Sequence, residues 1–311
     1  MTETTIGIDI SKHHLDVHRL PGGQSARFSN DKAGTKQLIL WLGAGVRRIV
    51  YEPTGRYHLA LERRLDERDY PLVKVNPWQA KRFGEALGKR AKTDKIDAAT
   101  LARMGAALAL EPQPVRPGIL RDLNEMVMAR LALVKDRTAA KNRAKGPTLA
   151  LLRRQNAARL RRIEADLEEL DAAIQALIEK DEALRARQAI LLSMPGISTL
   201  TAAALLAQMP ELGALDHSAA ASLAGLAPVT RQSGQWRGKA HILGGRALVR
   251  EALYMPALVA ARFNPDLKDF YTRLINAGKP PKVAVTAVMR KLIILANALL
   301  RDERKWTENQ A

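Results

Sequence analysis

The stretch Thr5-Ile6-Gly7-Ile8-Asp9-Ile10 decides the fold of the first part of the chain. Its apolar residues alternate as in a β-strand, and Leu15-Asp16-Val17-His18-Arg19-Leu20 repeats the pattern as a hairpin partner would. Further patterns predict helices at 32–42, at 57–67, from 77 onwards and from 94 to about 110, and strands at 47–51 and 71–75. Strands that alternate with helices are typical of an α/β sheet. Pro112, Pro114 and Pro117 then end a first domain, 1–115.

Composition restricts the class of protein. The chain has 311 residues, with 50 Lys and Arg against 32 Asp and Glu, and this net charge of +18 favours a polyanionic partner such as nucleic acid. The absence of cysteine excludes disulfides, thiolate-bound zinc and a cysteine nucleophile. Aromatic residues make up only 4 %, so contacts with the phosphate backbone should outweigh base stacking.

We expect neither a secretory signal nor association with a membrane. Residues 1–12 lack a basic segment followed by an apolar one. The apolar stretch 283–300 is interrupted by Arg290 and Lys291.

Residues 118–187 carry long helical periodicity, broken at Gly146-Pro147, and predict a coiled-coil arm. Apolar residues recur at intervals of three and four and form a seam: Leu160, Ile163, Leu167, Leu170, Ile174, Leu177 and Ile178. Ten basic residues and one acid occupy 135–162, whereas eight acids and one Lys occupy 163–182. Two interpretations fit: a solvated spacer, or a dimerisation arm whose basic half contacts nucleic acid.

Residues 188–311 predict a third, mainly α-helical domain. Met194-Pro195-Gly196-Ile197 places a tight turn between an apolar helix end and a helix of small residues. This is a helix-hairpin-helix pattern, in which the N-terminus of the second helix can present backbone N–H groups to a phosphate. An ordinary turn between helices explains it equally well, and the basic context favours contact with DNA.

Four carboxylates of the first domain lie at positions that suggest a metal site. Asp9 interrupts an apolar strand, and Glu52 directly follows another strand, at the edge where α/β proteins hold their ligands. Asp94 and Asp97 share one face of a helix start, although acids there are also expected from the helix dipole. Oxygen donors of this kind favour Mg²⁺ or Mn²⁺, which support phosphodiester cleavage. Asp16 follows the hairpin turn, and we expect it to be exposed.

Ser233 is the candidate nucleophile of the C-terminal region. It precedes Gly234 in the turn-rich stretch 228–245, with Arg231, Arg237 and Lys239 nearby to stabilise charge on a phosphate. Taken alone, such a serine is more often a turn residue. No histidine is adjacent, so activation would have to come from the metal site.

The order of these motifs resembles that of the DEDD transposases of insertion sequences, which are related to pilin-gene invertases. The matching segments span essentially the whole chain: Gly7-Ile8-Asp9-Ile10-Ser11-Lys12, Glu52-Pro53-Thr54-Gly55, Lys92-Thr93-Asp94-Lys95-Ile96-Asp97-Ala98, Met194-Pro195-Gly196-Ile197, Gly225-Leu226-Ala227-Pro228, Gln232-Ser233-Gly234, Asn264-Pro265 through Gly278-Lys279, and Arg290-Lys291. One departure is Arg246 after Gly245, where the family pattern has Asn.

The resemblance implies a ribonuclease H-like first domain, similar to the Holliday-junction resolvase RuvC, followed by the arm and a transposase domain. It implies Mg²⁺ held by Asp9, Glu52, Asp94 and Asp97, and Ser233 as the nucleophile of a covalent phosphoserine intermediate. It further implies a structured bridge RNA whose loops pair with donor and target DNA.

The sequence therefore predicts a cytoplasmic, nucleoid-associated DNA transposase that acts as a dimer or tetramer on donor and target DNA. The predicted domains are 1–115, 118–187 and 188–311. Candidate nucleic-acid-binding residues are Lys89, Arg90, Lys92, Lys95, Arg231, Arg237 and Lys239. Two alternatives remain open here: a metal-only, structure-selective endonuclease similar to RuvC, and a basic architectural protein without catalysis.

Overall fold

The chain divides into two compact units, Met1–Arg116 and Pro117–Ala311. The computed structural model describes residues 3–88, 94–146, 148–230, 232–234, 236–238 and 240–307, without the side chains of residues 94–96, 236 and 237. The separation of an arm at 118–187 from a helical domain at 188–311 stays a prediction.

The first unit alternates strands and helices. Its described strands are β1 Thr4–Ile10, β2 His14–Leu20, β3 Ser25–Ser29, β4 Val46–Tyr51 and β5 Leu72–Lys74. Its described helices are α1 Lys32–Leu42, α2 Leu59–Asp66, α3 Pro77–Ala86 and α4 Asp94–Ala107. The predicted α/β class is confirmed, whereas β3 was not predicted.

The strands form one mixed sheet in the order β3-β2-β1-β4-β5. β1 pairs antiparallel with β2 and parallel with β4, and β4 pairs parallel with β5. Successive side chains of a strand point to opposite faces of a sheet. Ile6, Ile8 and Ile10 therefore pack with helices α1 and α2 on one face, whereas Val50 packs with Leu101 of α4 on the other.

The second unit is helical, apart from short strands. Its described helices are α5 Gly118–Arg143, α6 Ala150–Glu179, α7 Glu182–Leu192, α8 Thr199–Gln208, α9 His217–Leu223, α10 Ala247–Phe263, α11 Pro265–Asn276 and α12 Pro281–Arg301. Between α9 and α10 lie β6 Pro228–Val229, β7 Gln232–Ser233, β8 Trp236–Arg237 and β9 His241–Ile242.

Helices α5 and α6 form an antiparallel hairpin. Arg130 of α5 and Asp171 of α6 make a bidentate ion pair. Lys141 Nζ of α5 lies 3.6 Å from Glu164 Oε1 of α6. The seven seam residues predicted on α6 are all buried or half-buried. The apolar spacing thus predicted the face of α6 that packs inward.

Helix α12 runs through the core of the second unit. It is the one helix in the described part of the chain that is long and apolar enough to cross a membrane, with 21 residues. Its apolar side chains pack instead against α7, α9, α10 and α11. Asn297, fully buried on α12, accepts from the Gly213 amide at 2.8 Å and donates to the Leu215 carbonyl at 2.7 Å.

Candidate active site

Asp9 and Glu52 are neighbours at one edge of the sheet. Ile8 of β1 is paired with Tyr51, the last residue of the parallel strand β4. The next residue of each chain segment is Asp9 or Glu52, and both are half-buried. Paired positions of parallel strands direct their side chains to the same face. The two carboxylates therefore lie side by side.

Helix α4 crosses that face with its first turn toward Asp9. A Cβ atom on Gly7 would lie 2.0 Å from the Ala98 carbonyl oxygen, and one on Gly105 would lie 3.2 Å from a methyl group of Thr5. Later residues of α4 thus cover earlier residues of β1, so the helix and strand run in opposite directions. The turn that begins at Asp94 and contains Asp97 lies at the Asp9 end of β1.

The four predicted ligands are brought toward one edge of the sheet, but the described side chains do not group into a metal site. Among the described side chains, which exclude that of Asp94, no three His, Asp or Glu residues are grouped to hold a cation. Asp9, Glu52 and Asp97 nevertheless supply oxygen donors from two adjacent strand ends and one helix. This donor set and its placement fit a hard divalent cation.

Asn30 joins the loops that follow the two acid-bearing strands. Its side-chain amide donates to the Ser11 carbonyl at 2.8 Å and to the Tyr57 carbonyl at 3.2 Å. Its backbone N–H donates to the His13 carbonyl at 2.9 Å. Ser11 lies two residues after Asp9, and Tyr57 lies five residues after Glu52, so Asn30 fixes both loops relative to each other.

A buried carboxylate, that of Glu62, lies behind Tyr51, on the face opposite Glu52. Glu62 Oε2 accepts from the Tyr51 hydroxyl at 2.6 Å and lies 2.6 Å from Lys74 Nζ. Burial, followed by the Glu62 charge, raises the pKa of Tyr51. His58 Nε2 lies 3.7 Å from the same Glu62 oxygen. Burial and then the Lys74 ammonium lower the pKa of His58.

Asp16 is buried, so the prediction that it is exposed was wrong. Only 7 % of the residue is exposed, and Arg27 donates to both of its carboxylate oxygens at 2.9 Å. Arg27 belongs to β3, the strand that was not predicted. Without that strand the sequence offers no partner that would allow a carboxylate to be buried there.

Ser233 lies exposed near the tip of a narrow hairpin. It pairs with Trp236 across β7 and β8, and Gly234 has a φ of +55°, which favours glycine. Val229 pairs with His241 across β6 and β9. These four short strands carry the serine, and we call the described residues 228–230, 232–234, 236–238 and 240–242 the serine ribbon.

The serine ribbon starts from a contact between two glycines. A Cβ atom on Gly245 would lie 2.2 Å from the Gly225 nitrogen, and one on Gly225 would lie 2.4 Å from the Gly244 carbonyl oxygen. Next to this contact, Arg246 donates to both carboxylate oxygens of Glu211, at 2.7 and 2.8 Å. The residue that departs from the family pattern therefore has a structural role of its own.

The candidate nucleic-acid-binding residues fall outside the described side chains. Lys89, Arg90, Lys92, Arg231 and Lys239 lie outside the described residues, and only the backbone is described for Lys95 and Arg237. Their role stays a prediction.

Close packing within the chain explains why the Pro-Gly turn between α7 and α8 contains Gly196. A Cβ atom on Gly196, whose φ is +97°, would lie 2.6 Å from the Pro256 carbonyl oxygen of α10. Ser198 caps α8 by accepting from the Thr201 amide at 3.3 Å. Packing against α10 accounts for Gly196 without a ligand, while contact between DNA and the N-terminus of α8 stays a prediction.

Comparison with known proteins gives the family. Residues 6–153 match the DEDD transposase model of the IS110 type, and residues 188–272 match the transposase model of the IS116/IS110/IS902 family. The pilin gene-inverting proteins of Moraxella bovis and Moraxella lacunata are each 31 % identical over 98 % of both chains. A 42 kDa protein of insertion element IS900 from Mycobacterium paratuberculosis is 35 % identical over 45 % of this chain and 37 % of its own length. The chain belongs to the IS116/IS110/IS902 family of transposases, and it is a DNA recombinase.

Proposed function

We propose that this recombinase is the transposase of an insertion sequence, with Ser233 as its nucleophile. In this proposal the first unit is ribonuclease H-like and binds Mg²⁺ or Mn²⁺ through Asp9, Glu52, Asp94 and Asp97. The observation that carries it is the pairing of Ile8 with Tyr51, which makes Asp9 and Glu52 neighbours beneath the first turn of α4.

The strand order supports the ribonuclease H-like assignment. A hairpin of β1 and β2 is extended by β3 on one side, and β4 and β5 continue the sheet parallel to β1 on the other. Helices cover both faces, and the acids lie at the carboxyl ends of β1 and β4, where open α/β sheets bind ligands. The matched DEDD family model covers this unit from residue 6 onwards.

In this proposal the acids of the first unit and Ser233 of the second have different roles in phosphoryl transfer. A bound divalent cation would stabilise charge on the phosphate and on the reacting oxygens. The Ser233 oxygen attacks phosphorus and loses its proton, a P–O bond of the DNA strand breaks, and the departing oxygen is protonated. The resulting phosphoserine ester retains the energy of the broken bond, so a hydroxyl of a second strand can displace the serine without ATP.

Covalent attachment of DNA tests the serine. Wild-type protein incubated with its DNA and Mg²⁺, then denatured, should retain DNA on a peptide that contains Ser233, and Ser233→Ala should abolish both the adduct and recombination. Ser218→Ala, which changes an exposed serine of α9, is the matched control and should retain both. Cleavage that persists in Ser233→Ala would favour the metal-only endonuclease instead.

Substitution of the acids tests the cation site. Asp9→Asn combined with Asp97→Asn should abolish the reaction and leave DNA binding within about twofold, because these residues act on the reacting phosphate rather than on DNA affinity. Glu67→Gln, which changes an exposed acid paired with Arg63, should retain activity. Full activity in the double variant would overturn the proposed site. Family membership already argues against an architectural protein without catalysis.

The partners follow from the same proposal. Donor and target DNA are the substrates, a bridge RNA supplies sequence selection, and a dimer or tetramer holds the two duplexes in the cytoplasm, on the nucleoid. The candidate basic residues of both units would contact phosphates of the nucleic acid: Lys89, Arg90, Lys92, Lys95, Arg231, Arg237 and Lys239. RNA that co-purifies with the protein, is sequenced and maps beside the transposase reading frame would support the guide, whereas recombination by RNA-free protein would contradict it.

A further inference from the structure

A row of charged side chains crosses three strands beside the candidate cation site. The strand register pairs Asp9 with Asp16, and Asp16 with Arg27. Directly paired residues of antiparallel strands point to one face of the sheet, with Cβ atoms about 4.5–5.5 Å apart. Ala26 and Phe28 pack with the α1 face, so Arg27 lies on the α4 face, as Gly7 and Asp9 do.

Two carboxylates in this arrangement repel each other unless a cation compensates for one of them. Asp16 is buried, and its carboxylate is engaged by the bidentate guanidinium of Arg27, whose own side chain is 52 % exposed. Arg27 therefore neutralises a charge that would otherwise lie next to Asp9. It also occupies both oxygens of a fifth acid at the edge of the site.

We propose that Asp16 and Arg27 form a positioning pair that sets the charge beside Asp9 and withholds the Asp16 carboxylate from the cation. This inference rests on the proposed function, because it takes Asp9 as a cation ligand. Loss of Arg27 would free an additional negative oxygen near the cation and tighten its binding. Loss of the Asp16 charge would leave the Arg27 guanidinium to attract Asp9, which weakens cation binding.

Binding of Mn²⁺ to the full-length protein without DNA tests the pair. Free Mn²⁺ is measured by electron paramagnetic resonance for wild type, Arg27→Gln, Asp16→Asn and the double variant. We expect Arg27→Gln to lower the dissociation constant and Asp16→Asn to raise it, each by roughly threefold to tenfold for one partly screened charge a few ångströms away. The double variant, which has no net change in charge, should return to within about twofold of wild type.

Further variants separate this inference from a structural role and from the proposed function. A merely structural pair would make both single substitutions weaken Mn²⁺ binding, and that result would overturn the inference. Arg27→Lys keeps the positive charge, so its dissociation constant for Mn²⁺ should stay within about twofold of wild type. This variant keeps the test valid if Arg27→Gln does not fold. Asp9→Asn should abolish the site. If Asp9→Asn binds Mn²⁺ like wild type, both the proposed cation site and the positioning pair are overturned. If Asp9→Asn loses Mn²⁺ binding but Arg27→Gln and Asp16→Asn do not shift the dissociation constant in opposite directions, only the positioning pair is overturned.

Discussion

His58 links the stability of the first unit to pH. Burial and the Lys74 ammonium lower its pKa in the folded state, so the unfolded chain binds a proton more readily. Stability should therefore fall as the pH drops through the ordinary histidine value of about 6.5, with a slope of at most about 1.4 kcal/mol per pH unit. In thermal unfolding, the melting temperature of His58→Gln should fall less than that of wild type when the pH is lowered from 7.5 to 5.0.

The exposed His241 provides the control for that experiment. His241→Gln should show the same loss of melting temperature on acidification as wild type. An unchanged pH response in His58→Gln would mean that His58 does not cause the effect.

Asn30 should matter more for catalysis than for DNA binding. Asn30→Ala removes the two donated hydrogen bonds that connect the loops after Asp9 and Glu52. Because small displacements of reacting groups are costly, we expect single-turnover cleavage to slow by about tenfold to a hundredfold, with DNA affinity nearly unchanged. Asn142→Ala, on an exposed position of the arm, should cleave at the wild-type rate. An equal rate in both variants would contradict the role of Asn30.

The residues of the site were predictable to different degrees. Asp9 and Glu52 could be paired from sequence, because an acid in an apolar strand and another directly after a strand are informative alone. Asn30 and Glu62 could not, because their roles depend on loops and helices that approach only in the fold. For Asn30, the local signal in the sequence was its position directly before Asp31, the residue that caps α1.

The packing of α4 on β1 depends on the absence of side chains at two glycines. Gly7→Ala would place a methyl group 2.0 Å from the Ala98 carbonyl oxygen. We expect it to destabilise the first unit by about 2–4 kcal/mol in urea unfolding, as overpacking against backbone does. Displacement of α4 would also move Asp97 away from Asp9.

Gly84 of α3 is the matched control for that substitution. A Cβ atom there would have only the Thr100 methyl group as a neighbour, at an ordinary 3.6 Å. Gly84→Ala should be neutral or stabilise the protein by up to about 1 kcal/mol, because alanine favours a helix. Comparable losses in Gly7→Ala and Gly84→Ala would contradict the packing argument.

Strong periodicity made most elements predictable. The helix expected at 32–42 coincides with α1, and the first two strands agree with β1 and β2 within one residue at each end. Strand β3 escaped because its five residues, Ser-Ala-Arg-Phe-Ser, form a mostly polar edge strand after two glycines. The error about Asp16 followed from that omission, since β3 carries Arg27.

The net charge of +18 should make DNA binding by the whole molecule strongly dependent on salt. The logarithm of the association constant should fall linearly with the logarithm of salt concentration. If the basic half of the arm contacts phosphates, Arg153→Gln with Arg154→Gln should reduce the magnitude of the slope by up to about 2, at about 0.9 per phosphate contact. Fluorescence anisotropy with labelled duplex at several salt concentrations measures this slope.

Glu168 and Glu169 lie exposed on the same helix and provide the control. Glu168→Gln with Glu169→Gln should leave the slope as steep as in wild type. A slope unaffected by loss of the two arginines would favour the solvated spacer over the nucleic-acid-binding arm.

The close approach of Gly225 and Gly245 also sets the point from which the serine ribbon carries Ser233, the proposed nucleophile. The backbones meet there without side chains, and the two short strand pairs beyond them separate Ser233 from this contact. Two residues added to each strand would carry Ser233 outward by about 6.6 Å, keep it on the same face of the ribbon and leave the helices as they are. The reach of this recombinase is thus a dimension that protein engineers could adjust in discrete steps.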